Sequence, residues 1–461
     1  MSVARTFGLA FLWSWGGLLA LGWSLQLWIL PTVFPERTAE YGMLAERDSL
    51  TFHWAAVGQA ERIKEEGWSA WTLRADEFLD LQPAGLASAV YAVTVPRPWV
   101  LVPFQAAIHA GTFVLLAWML GPLVPGPRWA LLAAMPFLIF PSAANWWAQI
   151  HRDGIFILGF LVAWAGLLLL AGRRGPRTWW VSPCLGAALV LVGGGLVYLM
   201  RPYGLFLLTA SLLAASLIAI PLGREWKRGG LRWLGLGGIC VVLLLFAEGK
   251  GDWSERVPDS MPIRADASTP VPGSRVEDAP APAGVPSRTV QQPSEESFFA
   301  LGPLDWGAQK LSASRRSFLL QHPEDQSHLD PEVRFHHFVD WIAYAPRAMA
   351  IGLFAPFPSH WESPLAGNPE RGIASFEMVV GYGLLLGIVF LRWRDPRDLR
   401  LALLLLVASL VPLLLLASAV PNLGALYRMR FGFWQTWACV GACGWIVLLT
   451  RASLARTKRG A

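Results

Sequence analysis

The sequence predicts an all-α polytopic membrane protein with about ten transmembrane helices. Of its 461 residues, 54% are hydrophobic and only 15% are charged, and 25 are tryptophan. A soluble chain of this length needs more polar surface than that. The apolar residues also fall into runs of about 17–25 residues, the length that crosses a bilayer as a helix. Lipid is therefore expected to be the solvent for much of the chain.

The apolar runs divide the chain into two membrane modules. The first run, 6–35, is too long for a signal peptide and has no small-residue cleavage site, so we retain it as a span. The predicted spans are 6–35, 99–120, 129–147, 154–172, 179–200, 203–222, 232–247, 373–392, 400–419 and 431–450. Residues 1–247 form a module of seven spans, 248–341 an external loop, and 342–461 a module of three spans preceded by an interfacial segment, 342–357.

Short basic clusters between the spans predict the orientation. With the amino terminus inside, these clusters all face the cytoplasm, which is the arrangement that the positive-inside rule favours. They are Arg128, Arg173-Arg174-Arg177, Arg224-Lys227-Arg228-Arg232, Arg392-Arg394-Arg397-Arg400 and Arg451-Arg456-Lys458-Arg459. The net charge of +6 is thus explained by topology. The sequence shows no continuous basic face of the kind that would predict a nucleic-acid partner. An even number of spans returns the carboxyl terminus to the cytoplasm.

Two long segments are predicted on the outer side. In the first, 36–98, residues 48–66 have the pattern of an amphipathic helix, with Leu50, Trp54, Val57 and Ile63 approximating one face. Such a helix is expected to lie on the membrane surface. In the second, 257–295 is rich in proline and poor in aromatic residues and is expected to be disordered, whereas 296–341 regains aromatic residues and is expected to fold.

Ionisable residues near membrane depth are the candidates for chemistry, because burying a charge there is costly. Five of them are expected to converge on the outer surface: Asp48, Asp153, Arg201, Arg428 and Arg430. A carboxylate can act as a general base for an acceptor hydroxyl, and arginines beside it can bind a phosphate through charge-assisted hydrogen bonds. His151, Arg152 and Arg316 are candidate supporting residues.

Each candidate also has a structural interpretation. Asp48 is placed to cap the helix that begins at Ser49, and Asp153 to pair with Arg152 or to cap the fourth span. Arg428 and Arg430 could reach lipid head groups by extending their side chains. Arg315-Arg316 fits a solvated pair. Gly193-Gly194-Gly195 lies in the middle of a span and is typical of close helix packing.

Two segments resemble those of the GT-C class of membrane glycosyltransferases, which use sugars linked to polyprenyl phosphate. They are residues 141–153, from Pro141-Ser142 to His151-Arg152-Asp153, and residues 422–430, which end in Tyr427-Arg428-Met429-Arg430. A long first outer segment with an acidic residue near the start of its helix, Asp48, is a further similarity. The likeness is clearest over 1–220 and 420–450. The Pro-rich insert and the absence of a soluble domain after the last predicted span depart from the class.

The resemblance implies residue roles and partners. Asp48 would be the catalytic base, Asp153 would assist it or hold a divalent cation (Mg²⁺ or Mn²⁺), and Arg201, Arg428 and Arg430 would contact the donor phosphate. The donor would be a polyprenyl-phosphate-linked sugar and the acceptor a glycan or lipid. The protein would act at the periplasmic face of a bacterial inner membrane, beside envelope-assembly proteins.

Three other functions remain open at this stage. A polysaccharide polymerase or ligase would depend on the outer arginines more than on a carboxylate. A transporter of lipid-linked intermediates would carry ionisable groups near the midplane and repeated halves, and the sequence shows neither clearly. A non-enzymatic envelope scaffold would use the Pro-rich segment as a tether.

Overall fold

The computed structural model describes residues 2–44, 48–73, 82–170, 181–219, 302–321, 327–361, 369–393 and 395–460, and helices make up most of this part of the chain. The helices are α1 (Val3–Ser24), α2 (Asp48–Glu66), α3 (Gln82–Val93), α4 (Val102–Leu120), α5 (Pro127–Ile139), α6 (Asp153–Leu170), α7 (Val181–Met200), α8 (Gly204–Ala219), α9 (Pro303–Gln321), α10 (Phe338–Phe354), α11 (Pro369–Leu386), α12 (Pro396–Ala419), α13 (Leu423–Met429) and α14 (Phe431–Gly460). Two short strands, β1 (Thr38–Ala39) and β2 (Met43–Leu44), pair antiparallel.

Among the described residues, six helical segments are long and apolar enough to cross a membrane. They are Val3–Val33, Val102–Leu123, Asp153–Leu170, Arg371–Phe390, Asp398–Ala419 and Phe431–Ala452. Three further predicted spans correspond to the shorter apolar helices Pro127–Ile139, Cys184–Met200 and Gly204–Leu217. The tenth, 232–247, lies outside the described residues. The structure thus supports a multi-pass membrane protein but does not confirm a count of ten.

The predicted span 129–147 is shorter in the structure for a physical reason. Its helix, α5, ends at Ile139, and the chain then turns at Pro141 into a 3₁₀ turn. A helix of 13 residues is roughly 20 Å long, less than the apolar thickness of about 30 Å. Residues 141–147 are therefore available to form part of the surface where the spans end.

Close packing of α6 against α7 forms the centre of the first module. A Cβ added to Gly193 would lie 2.5 Å from Gly159 O, and one added to Gly166 would lie 2.5 Å from Gly186 O. The two backbones therefore approach at both points only because each residue lacks a side chain. This confirms the close-packing interpretation of the Gly193–Gly195 run at Gly193.

Two side-chain hydrogen bonds link three helices inside the bundle. Trp164 Nε1 on α6 donates to Ser211 Oγ on α8 (3.0 Å), and that hydroxyl donates to Ala408 O on α12 (2.6 Å). A polar group without a hydrogen-bond partner would be costly here, because lipid offers no replacement. The chain of bonds thus fixes three helices in one register.

The predicted amphipathic helix 48–66 is present as α2, and of its predicted apolar face Ile63 is buried and Leu50 and Val57 pack against the buried core. Phe52, Ala56 and Ile63 are buried, whereas Trp54 is 49% exposed. The buried face packs on α3, which the sequence pattern did not identify as a partner. Most of the segment predicted to be interfacial, 342–357, lies in α10, which packs on α12.

In the second outer segment, 257–295 lies outside the described residues. In the described part of 296–341, α9 packs on α10 and α12, and Phe335 is buried.

Candidate functional site

A glutamine network attaches residues 42–44 to the turn before α6. Gln149 Oε1 accepts from Leu44 N (3.1 Å), and Gln149 Nε2 donates to Gly42 O (3.2 Å). Gln26 Nε2 donates to Ala148 O. Gly42 has φ +73°, and a Cβ there would collide with Gln26 O, so the position requires glycine. The network holds the chain just before Asp48 beside residues 148–149.

Asp153 and Arg201 form a buried ion pair at the end of the α6–α7 pair. Asp153 is the first residue of α6, and Arg201 follows the last residue of α7. The helix dipoles favour an acid at the first position and a cation at the second. Arg201 Nη2 donates to Asp153 Oδ1 and Nη1 donates to Tyr203 Oη, both at 2.5 Å. The two charged side chains are 3% and 6% exposed.

His151 completes the surroundings of Asp153. Its Nδ1 accepts from Asp153 N (3.3 Å) and lies 3.0 Å from Asp153 Oδ2. Burial lowers the pKa of His151 more strongly than Asp153 raises it. The ring is therefore neutral near pH 7.

Asp48 pairs with Arg428 from the opposite end of the sequence. Arg428 Nη1 lies 3.2 Å from Asp48 Oδ2, and the side chains are 28% and 40% exposed. Burial raises the pKa of Asp48, but the positive charges of Arg428, Arg152 and Arg201 outweigh burial and hold the pKa below its ordinary value of 3.8. Asp48 is thus an ionised and accessible carboxylate at neutral pH.

These residues form one assembly, called here the charged cluster: Asp48, His151, Arg152, Asp153, Arg201 and Arg428. Three guanidinium groups face two carboxylates and a neutral imidazole, which leaves one net positive charge. The Nε atoms of Arg152, Arg201 and Arg428 are buried without a hydrogen-bond partner among the described residues. A cluster with surplus positive charge and unused donors is suited to binding an anionic group.

Arg430 does not belong to the charged cluster. It is 2% exposed, and its guanidinium donates to Ile351 O (3.0 Å), Gly352 O (2.7 Å) and Ala355 O. These are carbonyls at the carboxyl end of α10, where a helix lacks its own donors. In this structure Arg430 therefore caps α10 from within the protein.

Arg316 is also apart from the cluster. It is exposed on α9, whereas its neighbour Arg315 is completely buried. Arg315 Nη2 donates to Leu329 O and to Asp330 O (2.6 Å). The interpretation of these two residues as a solvated pair is thus wrong for Arg315, because a buried guanidinium holds together the loop before α10.

The sequence reasoning missed Glu377, a carboxylate within the predicted span 373–392. Glu377 is 1% exposed. Its Oε1 accepts from Ser142 N (2.6 Å), and its Oε2 accepts from Tyr427 Oη. Ser142 and Tyr427 belong to the two segments that carry the family resemblance, so Glu377 joins them. The sequence did contain a signal for Glu377, because an acidic residue inside an apolar run is rare enough to mark a candidate site.

The residues around Asp153 do not fit a divalent cation. Its two oxygens face Arg201 and His151, and Arg152 and Arg428 add positive charge nearby. Hard cations require several oxygen ligands, and no group of three or more metal-binding side chains occurs among the described residues. We therefore assign no chemical step to a metal.

Comparison with known proteins identifies no relative. No protein-family model, no curated protein and no solved structure matches the chain.

Proposed function

We propose that this protein is a membrane glycosyltransferase. It moves a sugar from a polyprenyl-phosphate-linked donor to a glycan or lipid acceptor at the periplasmic face of a bacterial inner membrane. The observation that carries the proposal is the Asp48–Arg428 pair, an accessible ionised carboxylate set in a cluster with surplus positive charge. Both residues stand outside the six candidate spans found among the described residues.

Asp48 has the properties of a general base. Its partial exposure lets an acceptor hydroxyl approach, and its lowered pKa keeps it ionised at neutral pH. In the proposed reaction the acceptor oxygen bonds to the anomeric carbon as its proton passes to Asp48. The bond from that carbon to the phosphate oxygen breaks, and polyprenyl phosphate leaves with the electron pair.

Arg428 and Arg152 are the proposed ligands of the leaving phosphate. Each has a buried Nε without a partner among the described residues, and phosphate oxygens accept strong charge-assisted hydrogen bonds from arginine. Arg201 is committed through both Nη atoms to Asp153 and Tyr203. It therefore supports the site by orienting Asp153 and by adding positive charge.

The proposal is tested by sugar transfer from radiolabelled polyprenyl-phosphate sugars in purified, lipid-reconstituted protein. Asp48→Asn should lower the rate by about 100-fold or more, the range expected for a general base. Glu61→Gln, an exposed acid on the same helix, is the matched control and should transfer at the wild-type rate. Arg428→Ala should weaken both the rate and the binding of the donor.

Two results would overturn this assignment. If Asp48→Asn keeps its activity while Arg428→Ala loses it, the arginines dominate and the protein fits a polymerase or ligase. If no sugar is released from any donor but labelled lipid crosses the bilayer, the protein is a transporter.

The orientation is part of the proposal and has its own test. With both termini in the cytoplasm, alkaline phosphatase fused after residue 461 should be inactive in cells and a fluorescent protein fused there should be bright. The reverse pattern would place the charged cluster on the cytoplasmic side.

A further inference from the structure

We infer that a cavity at the end of α1 binds the phosphate head group of a lipid, at a position separate from the charged cluster. The cavity has a volume of about 340 Å³, within the range of about 300–1,000 Å³ that holds small ligands. Its walls include Gln26, Leu27, Pro31, Tyr41, Arg97 and Trp99. It therefore lies where the first candidate span ends and the outer segment begins.

Arg97 supplies the charge that selects the ligand. It is the one charged residue among those that line the cavity. Its guanidinium lies 3.9 Å from the centre of the Tyr41 ring, which fixes the planar group without using its hydrogen bonds. Among the described residues Arg97 forms no ion pair. A cation held in place by an aromatic ring, with its donors unused, fits an anionic oxygen group.

The helix itself is modified at the cavity. Residues Leu25–Ile29 form a π-helical turn between α1 and the last helical turn of the span, Leu30–Val33. Such turns are rare and occur frequently at functional sites. Gln26 lies in this turn and is 1% exposed, and its Oε1 has no hydrogen-bond partner among the described residues. A buried acceptor beside Arg97 suits a ligand that also carries a hydroxyl or a protonated oxygen.

The apolar wall of the cavity favours a lipid over a free anion. Leu27, which lines it, is 58% exposed, and Trp28 beside it is 68% exposed. Both belong to a helix long and apolar enough to span, so these side chains are expected to contact acyl or prenyl chains. A head group held at Arg97 could extend its chain along this face without leaving the bilayer.

The cavity lies close to the charged cluster. Gly42 lines the cavity and Asp48 belongs to the cluster, so the two residues are six positions apart in the chain. An extended chain of that length spans at most about 20 Å. The inference deepens the proposed function and rests on it only in one respect. The lipid bound in the cavity would be a substrate on its way into the charged cluster or a product that has left it.

A photoreactive analogue of farnesyl phosphate tests the site, because labelling can be mapped to residues. In wild-type protein in nanodiscs the label should map to 23–44. Arg97→Gln should lower labelling of that segment by about tenfold or more, which corresponds to about 1.4 kcal/mol. Arg37→Gln is the control: it also removes one positive charge, but from a residue of the labelled segment that does not line the cavity. It should label like wild type. Arg97→Lys, which keeps the charge, should label more than Arg97→Gln.

Competitors identify the chemistry of the ligand. Unlabelled farnesyl phosphate should block labelling, whereas farnesol and inorganic phosphate should not at the same concentration. Equal competition by inorganic phosphate would show a free-anion site, and equal competition by farnesol would show a purely apolar groove. Either result overturns the inference, as does wild-type labelling of Arg97→Gln.

Failure of this inference and failure of the proposed transfer can be told apart. Asp48→Asn should lose transfer but keep labelling of 23–44, because the cavity does not use Asp48. If Arg97→Gln labels normally while Asp48→Asn loses transfer, only the cavity assignment is wrong. If Asp48→Asn keeps transfer while Arg97→Gln loses labelling, only the catalytic assignment is wrong.

Discussion

Arg428 and Asp48 are 380 positions apart in the sequence, yet Arg428 Nη1 lies 3.2 Å from Asp48 Oδ2. Arg428 is in α13, which leads directly into the last span, and Asp48 begins α2 of the first outer segment. The pair therefore joins the two ends of the described fold at the charged cluster. Because both side chains are partly exposed, its value to stability is small, and its main effect is on the charge of Asp48.

The first prediction concerns the pH dependence of Arg428→Gln. Arg428 is the principal cause that lowers the pKa of Asp48, and burial acts in the opposite direction. Because its pKa is lowered, Asp48 stays ionised at every pH well above 3.8, its ordinary pKa. Wild-type kcat/KM should therefore be flat from pH 7 down to about pH 5. Without Arg428, burial raises the pKa, and the acid limb should move to higher pH. A pH–rate profile of the variant measures this shift.

The exposed Arg128→Gln is the control for general loss of positive charge. It should leave the profile in place. An unchanged acid limb in Arg428→Gln would mean that Asp48 is not the group that titrates in the reaction.

The second prediction separates Arg430 from the other arginines. Its guanidinium satisfies three carbonyls at the end of α10, and a lysine ammonium cannot reproduce that planar set of donors. Arg430→Lys should therefore lower stability by about 2–4 kcal/mol, since buried carbonyls would lose charge-assisted bonds. Thermal unfolding in detergent measures the loss.

Arg316→Lys, at an exposed position on α9, should unfold at the wild-type temperature. If Arg430→Lys unfolds normally but loses affinity for the donor lipid, Arg430 binds phosphate as the sequence suggested and the capping role is secondary.

The third prediction concerns the bond from Tyr427 to Glu377. Tyr427→Phe removes a donor from a buried carboxylate that then keeps only Ser142 N. Leaving a buried charged acceptor without its partner costs about 1–3 kcal/mol or more. The variant should unfold at a lower temperature, and Glu377→Gln, which keeps an acceptor oxygen, should lose less than Glu377→Ala.

Tyr198→Phe is the matched control, because the Tyr198 hydroxyl makes no hydrogen bond among the described residues. A similar loss in both phenylalanine variants would mean that the hydroxyl of Tyr427 does not act through Glu377.

The sequence was sufficient for the coarse architecture and for most of the cluster. Apolar run length predicted the helical membrane fold, and the periodicity of 48–66 predicted the bounds of α2. Four of the five proposed reactive residues, Asp48, Asp153, Arg201 and Arg428, do lie together. They share a property visible in sequence, since each charged residue directly adjoins an apolar or amphipathic run.

The remaining features depend on packing that periodicity does not reveal. Arg430 follows Arg428 by two positions, but helical geometry points the two side chains in different directions. Arg430 therefore meets α10, while Arg428 meets Asp48. The partner of α2 was not identified because α3 contributes small residues such as Ala84 and Ala87, which carry little signal in a hydrophobic pattern.

The last prediction compares two neighbouring glycines of α7. A Cβ on Gly193 would lie 2.5 Å from Gly159 O and 2.6 Å from Ala163 N, whereas one on Gly195 would meet nothing within 4 Å. Gly193→Ala must push α6 and α7 apart and should cost about 1–3 kcal/mol or more, as overpacking does. Gly195→Ala should be neutral or slightly stabilising, because alanine favours helix.

The same variants show whether α6–α7 packing positions the charged cluster. Asp153 and Arg201 are held by opposite helices of this pair, so separating the helices should stretch their 2.5 Å contact. Gly193→Ala should therefore lower transfer activity per folded molecule as well as the unfolding temperature, and Gly195→Ala should change neither. Equal behaviour of the two variants would show that the helices do not approach at Gly193, and the ion pair would then need another support.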